Sequence, residues 1–163
     1  MPELAKAEPI EQNPYCWVHL SRFGRSAWVN INTVDGYEAF RWFLQDSRSG
    51  RMGYPSPTLG YVLSWMQSFL RAYGVTAPYL VMSGMREGAT NRATEGAALS
   101  SLHLPDASLR FRAVDVEIPG VSGEYLGRLA ALAKAGGVGF YGQSGHTHID
   151  DGNVRYWRKL PKS

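Results

Sequence analysis

Apolar residues near the start of this chain recur with a period of two. Trp17 to Leu20 and Ala27 to Asn32 alternate and are separated by a Gly-containing turn, which predicts a hairpin. From Asp35 the period changes. Tyr37, Phe40 and Leu44 share a helical stripe, and Asp35 and Glu38 stand at capping-box spacing, so a short helix beginning there is expected. Gln45 to Ser56, with Gly50, Gly53 and Pro55, reads as a loop. The strongest periodicity comes next: Leu59, Val62, Leu63, Met66, Phe69, Leu70 and Tyr73 repeat at three and four residues, with Pro57 at the start and Gly74 past the end. This predicts the core helix.

Tyr79 to Met82 is a brief apolar run that predicts a buried strand, followed by SGMREGATN as a loop and a weak helical pattern over Thr90 to Leu99. Leu109 to Ile118 reads as a strand with Val114, Val116 and Ile118 on its core face and Ala113, Asp115 and Glu117 on the other. Ser122 can cap a helix whose stripe is Leu126, Leu129, Ala130 and Ala133, with Gly136 and Gly137 as its stop. Val138 to Tyr141, His146 to Asp150 and Val154 to Trp157 then give three short strands. Their tight turns, including the hairpin signal Asp151-Gly152, predict antiparallel pairing. The expected fold class is α+β: a small antiparallel sheet packed against helices, in a single domain over residues 15–160 after a flexible arm at residues 1–14.

Composition narrows the functional classes. With 163 residues, 44% hydrophobic and 12% aromatic, the chain can bury one real core. A net charge of +3 without a run of Lys or Arg gives no nucleic-acid arm, so no nucleic-acid partner is expected. Cys16 is the only cysteine, so any metal must be taken by histidines and carboxylates. No stretch is long and apolar enough to span a bilayer, and no export signal is visible at the start.

Chemistry concentrates in four places: His103 in SSLH, Asp115 in AVDVE, and His146 with His148 in HTHID. In a strand the last two share a face. Two histidines and an aspartate are the N and O donor types of a hydrolytic zinc site with an open water position, although these residue types fit hydrogen-bonded side chains equally well. Glu117 is a candidate base, but a charged residue at a strand end is more often solvated. Arg86 can clamp a carboxylate, but a lone loop arginine is more often solvated too. Trp42, Trp65 and Trp157 read as packing residues.

The series SGMREGATN, SSLH, AVD, GGVGFY, HTHID and VRYW resembles the zinc murein peptidases related to D-alanyl-D-alanine carboxypeptidases. It is most like the murein endopeptidase branch that ends in a GGVGYY…HIDTGPxRxW-like sequence. The similarity runs from about residue 21 to residue 158, with FLQDSRSG as its upstream part. By position it implies His103, Asp115 and His148 as ligands of Zn2+, with Arg86 and Ser101 in the substrate motifs. Met85 replaces the usual Tyr, Glu87 the usual Ser and Phe111 the usual Gly, and five more residues than usual separate His103 from Asp115. Several relatives carry a Glu or Asp three residues before the last ligand. Gly145 stands there in this chain, which moves the assisting role to His146, with Asp150 orienting a ligand or assisting directly.

The resemblance implies a zinc-dependent peptidase acting on peptidoglycan cross-links or stem peptides, in the periplasm or at the cell wall. A zinc-containing module that only binds wall peptide or a protein partner is the alternative, suggested by the missing carboxylate and the altered arginine loop.

Overall fold

The computed structural model describes residues 14–94, 98, 100–142 and 145–159. A 3-10 turn at Pro14–Cys16 leads into the predicted hairpin, strands β1 (Trp17–Arg22) and β2 (Arg25–Asn30). Helix α1 (Val34–Phe43) starts a residue before Asp35, and its cap is Thr33, whose hydroxyl accepts the Gly36 N–H at 3.0 Å. The capping-box reading fails because Asp35 already lies in the first turn. Tyr54–Pro55 form a two-residue strand β3 within the expected loop, and α2 (Pro57–Ala72) is the core helix where the stripe puts it.

Strand β4 (Tyr79–Ser83) is followed by a short helix α3 (Gly88–Ala93) inside the SGMREGATN segment. The helical pattern expected over Thr90 to Leu99 continues only to Ala93 within the described residues, and residues 95–97 and 99 lie outside them. The strand expected from Leu109 to Ile118 is interrupted, as β5 (Arg110–Phe111) pairing with β3 and β6 (Ala113–Glu117) in the main sheet. Ser122 caps α4 (Gly123–Leu132) by accepting the Tyr125 N–H. The chain then forms β7 (Gly137–Phe140), β8 (Thr147–Asp150) and β9 (Arg155–Arg158).

The sheet is neither small nor purely antiparallel. It has seven strands in the order β2-β1-β4-β6-β8-β7-β9, with parallel pairs at β1/β4 and β7/β9. Val114, Val116, Val138 and Ile149 join the core beneath α1, α2 and α4 with Phe40, Leu63 and Leu126. Side chains alternate along a strand, so Asp115 on β6 and His148 on β8 take the opposite face, where register makes them direct partners.

Asp151-Gly152 does not turn a hairpin. The chain passes beyond β7 and pairs with its far edge, so β9 runs parallel to β7. Gly136 and Gly137 do not stop α4 either; its end is marked by Lys134 at φ 50°. They are glycine because the chain comes too close: a Cβ on Gly136 would lie 2.0 Å from the Asp150 carbonyl oxygen, and one on Gly137 2.3 Å from Arg155 Nη1. Gly136→Ala is therefore expected to lower unfolding free energy by about 1–3 kcal/mol, because a backbone carbonyl must give way. Urea denaturation measures this, and a midpoint equal to that of the parent would refute the close-approach account.

Candidate metal centre

Three elements deliver the donors. Asp115 and His148 face each other on β6 and β8, and His103 arrives on the long segment between α3 and β5. All three are buried, and one ligand atom from each lies within 4.8 Å of the others. His103 Nε2 is 3.2 Å from His148 Nδ1 and 3.3 Å from Asp115 Oδ1, and His148 Nδ1 is 3.0 Å from the same oxygen.

The outward bonds decide what faces inward. The Gly84 carbonyl can only accept, so its 2.7 Å contact with His103 Nδ1 puts the proton there and turns the Nε2 lone pair toward the other two residues. The Asp150 carboxylate likewise accepts from His148 Nε2 at 2.8 Å, leaving the Nδ1 lone pair facing in. Asp150 is itself saturated. Oδ1 accepts from the Gly137 and Gly152 N–H groups, each at 2.9 Å, and Arg155 donates to both oxygens at 3.0 and 2.8 Å. Burial works against its charge, but these donors hold its pKa far below the usual carboxylate range.

Three acceptors at 3.0–3.3 Å require a cation or a proton among them. A metal ion fits this donor set, and without one a proton takes its place. Burial alone would lower the pKa of His148, yet its bonds to Asp115 and Asp150 raise it. Burial lowers His103, against the pull of Asp115. For Asp115, burial is outweighed by the two imidazoles, and its pKa lies well below normal.

Arg86 is not the solvated loop arginine that its segment suggests. It is only 8% exposed, and it donates from Nη2 to Asp115 Oδ2 and from Nε to Ser83 Oγ, both at 2.8 Å. The Ser101 hydroxyl accepts the His103 N–H at 3.2 Å and so braces the turn carrying that histidine. His146 lies just before β8 and outside the donor set, with its ring stacked on Tyr141 at 4.4 Å. Burial lowers its pKa, against the field of Asp115 and Glu117.

Two clefts flank the donors. One, of about 330 Å³, is bordered by Ser47, Arg86, Thr94, Asp115, His146 and Lys159. The other, of about 270 Å³, is bordered by Ser101, His103, His148, Arg155 and Trp157; Arg86 and Tyr141 line both.

Residues that sequence reading passed over support the site from behind. Asp46, fully buried, accepts from Arg48 and Ser49 N–H, from the Thr90 hydroxyl and from the Glu87 N–H. It thereby pins the segment that carries Arg86. A polar DSRSG run is the signature of such an Asx turn, but nothing in it reveals the distant partners. Trp157 packs against His148 with ring centroids 5.0 Å apart, and so serves the site as well as the sheet edge.

A buried set of two imidazoles and a carboxylate, bordered by two clefts, has the donor types and spacing that could hold a metal ion. The chain belongs to the Peptidase M15 family, whose model matches residues 39–150 and so includes all three donors. It is 31% identical over 119 residues to "Peptidoglycan L,D-endopeptidase MepK" of Escherichia coli (strain K12), covering 71% of this chain and 61% of that protein. It is 29% identical over 121 residues to "Probable peptidoglycan L,D-endopeptidase MepK" of Haemophilus influenzae, covering 72% and 61%. The chain thus spans about three fifths of the length of these relatives. No solved structure matches it.

The donor set predicts one divalent ion per chain, lost in His103→Ala, Asp115→Ala and His148→Ala; full occupancy in His148→Ala by elemental analysis would reject it. Asp150→Asn should weaken metal affinity about 10- to 100-fold by releasing the His148 ring. Ion and proton compete for the same lone pairs, so occupancy should fall as pH drops through the raised pKa of His148. A chelator competition series reads this, and affinity independent of pH would contradict it.

Proposed function

We propose that this chain is a zinc-dependent peptidase that hydrolyses peptide bonds of bacterial peptidoglycan, in cross-links or stem peptides, at the cell wall or in the periplasm. The observation that carries the reading is the inward-facing acceptor set of His103, Asp115 and His148 in a Peptidase M15 chain. The names of its relatives supply the substrate class. His103, Asp115 and His148 would hold the zinc, which would supply Lewis-acid polarisation of a scissile carbonyl and activation of water.

The surrounding side chains divide the remaining work. His146 borders the same cleft as Asp115, and its lowered pKa leaves it neutral near pH 7, able to take a proton from the attacking water and return it to the leaving amine. Asp150 orients His148; fully bonded and 1% exposed, it is better placed for that than for contact with substrate. Arg86 holds Asp115 in place and lines both clefts, while Ser101 fixes the His103 turn beside the second cleft. A cleft on each side of the donors suits a substrate that extends in both directions from the scissile bond.

Digestion of purified sacculi by the zinc-loaded protein, with products identified by mass spectrometry, tests the proposal; absence of soluble peptides rejects it. His146→Ala should keep its zinc and lose rate by about a hundredfold to ten-thousandfold. Zinc content and turnover measured on one preparation decide the role: lost zinc would make His146 a ligand, and an unchanged rate would remove it from proton transfer.

A further inference from the structure

The cleft containing His146 has a charge that the donor set leaves unexplained. Its acid, Asp115, is committed to the two imidazoles and to Arg86, and hydroxyls of Ser47, Ser83, Thr90 and Thr94 supply much of the remaining polarity. Arg86 is a buried partner of Asp115. Lys159 differs from it. Its side chain is exposed, borders the cleft and makes no ion pair with a described residue, and its ammonium stands 5.8 Å from the centroid of the Tyr141 ring. That ring stacks on His146, so the Lys159 ammonium lies one aromatic ring away from the imidazole.

The backbone beneath Lys159 is fixed. Its N–H donates to the Phe140 carbonyl at 2.8 Å, and the neighbouring Arg158 guanidinium is held by both Glu124 oxygens and lies over the Phe140 ring at 4.4 Å. With the backbone already held, ordering the ammonium against an anion costs the rotamer entropy of the side chain alone. Lys159 also lies beyond residues 39–150, so family membership assigns it nothing.

We infer that Lys159 anchors a free carboxylate of the bound peptide in this cleft, and so makes the site prefer substrates bearing a carboxylate on that side of the scissile bond. The inference rests on the peptidase reading for the identity of the ligand. Lys159 is a specificity residue that touches a part of the substrate away from the reacting bond.

The test uses the full zinc-loaded chain and a cross-linked muropeptide dimer, prepared with its carboxylates free and with them amidated. Binding is measured by calorimetry and turnover is measured separately. The parent should bind the free acid up to about fivefold more tightly than the amide, as an exposed charge pair allows. Lys159→Ala should abolish that difference, Lys159→Arg should restore it and Lys159→Glu should reverse it. The effect should appear in KM with kcat retained, and shrink in about 0.5 M salt.

Equal binding of acid and amide by the parent, or a preference that survives in Lys159→Ala, overturns the anchor. A parent that discriminates in binding but releases nothing from sacculi overturns the peptidase reading and leaves the anchor standing. Turnover of both peptides without discrimination does the reverse.

Discussion

The hydrogen bond from His148 Nε2 to Asp150 sets the tautomer of one candidate metal donor, and much of the C-terminal architecture keeps Asp150 in place to receive it. A buried carboxylate is costly unless every lone pair is satisfied. Here two backbone N–H groups and a bidentate arginine do this, and each imposes a condition on the chain. The Gly137 N–H is available only because Gly136 and Gly137 let β7 press against the Asp150 backbone and side chain. Arg155 is available only because the chain crosses past β7 and returns on its far side as a parallel strand. The parallel course of β9 and the glycine pair thus serve one end, an ionised carboxylate held behind the His148 imidazole.

A second carboxylate does the equivalent job on the opposite side. Asp46 gathers the turn after α1 and the start of α3 around one buried charge, and its pKa is lowered by those donors despite the opposing effect of burial. Arg22 extends the arrangement to the edge hairpin by donating to the Phe43 and Gln45 carbonyls, at 3.0 and 2.7 Å. Gly84 sits between these supports. A Cβ there would lie 2.3 Å from the Leu44 carbonyl oxygen, and it is the Gly84 carbonyl that fixes the His103 tautomer. One histidine tautomer is thus set by a backbone carbonyl packed too closely for a side chain, and the other by a carboxylate that backbone N–H groups and an arginine hold in place.

Local chemistry was readable from the sequence, and long-range chemistry was not. The α2 stripe, the first hairpin, the Ser122 cap and the split faces of the AVDVE strand are properties of neighbouring residues, and all appear in the structure. The cap of α1 was misread because Thr33 and Asp35 are both good capping residues two positions apart, and the Gly36 N–H selects the threonine. The parallel course of β9 could not be read from Asp151-Gly152, since the turn signal carries no information about Arg155 reaching back to Asp150. The bond from Arg86 to Asp115 spans 29 residues and is equally invisible to spacing. Alternation puts His146 and His148 on one strand face in the sequence, but His146 lies outside the strand, which begins only at Thr147.

Two imidazoles of one HTH motif end with opposite acid–base character, and the reason is where the carboxylates stand. His148 lies between Asp115 and Asp150, at 3.0 and 2.8 Å, so the protonated ring is favoured and its inward nitrogen is a position that a metal ion must take from a proton. His146 lies outside that pairing. Burial, the largest influence on it, outweighs the pull of Asp115 and Glu117 and favours the neutral ring, which stacks on Tyr141. These states suit the proposed roles: a ring that is to bind an ion needs its proton directed to the far nitrogen, and a ring that is to accept a proton needs to be neutral at the outset. Placing one histidine inside the β-ladder and the other just before it gives both states from a two-residue separation.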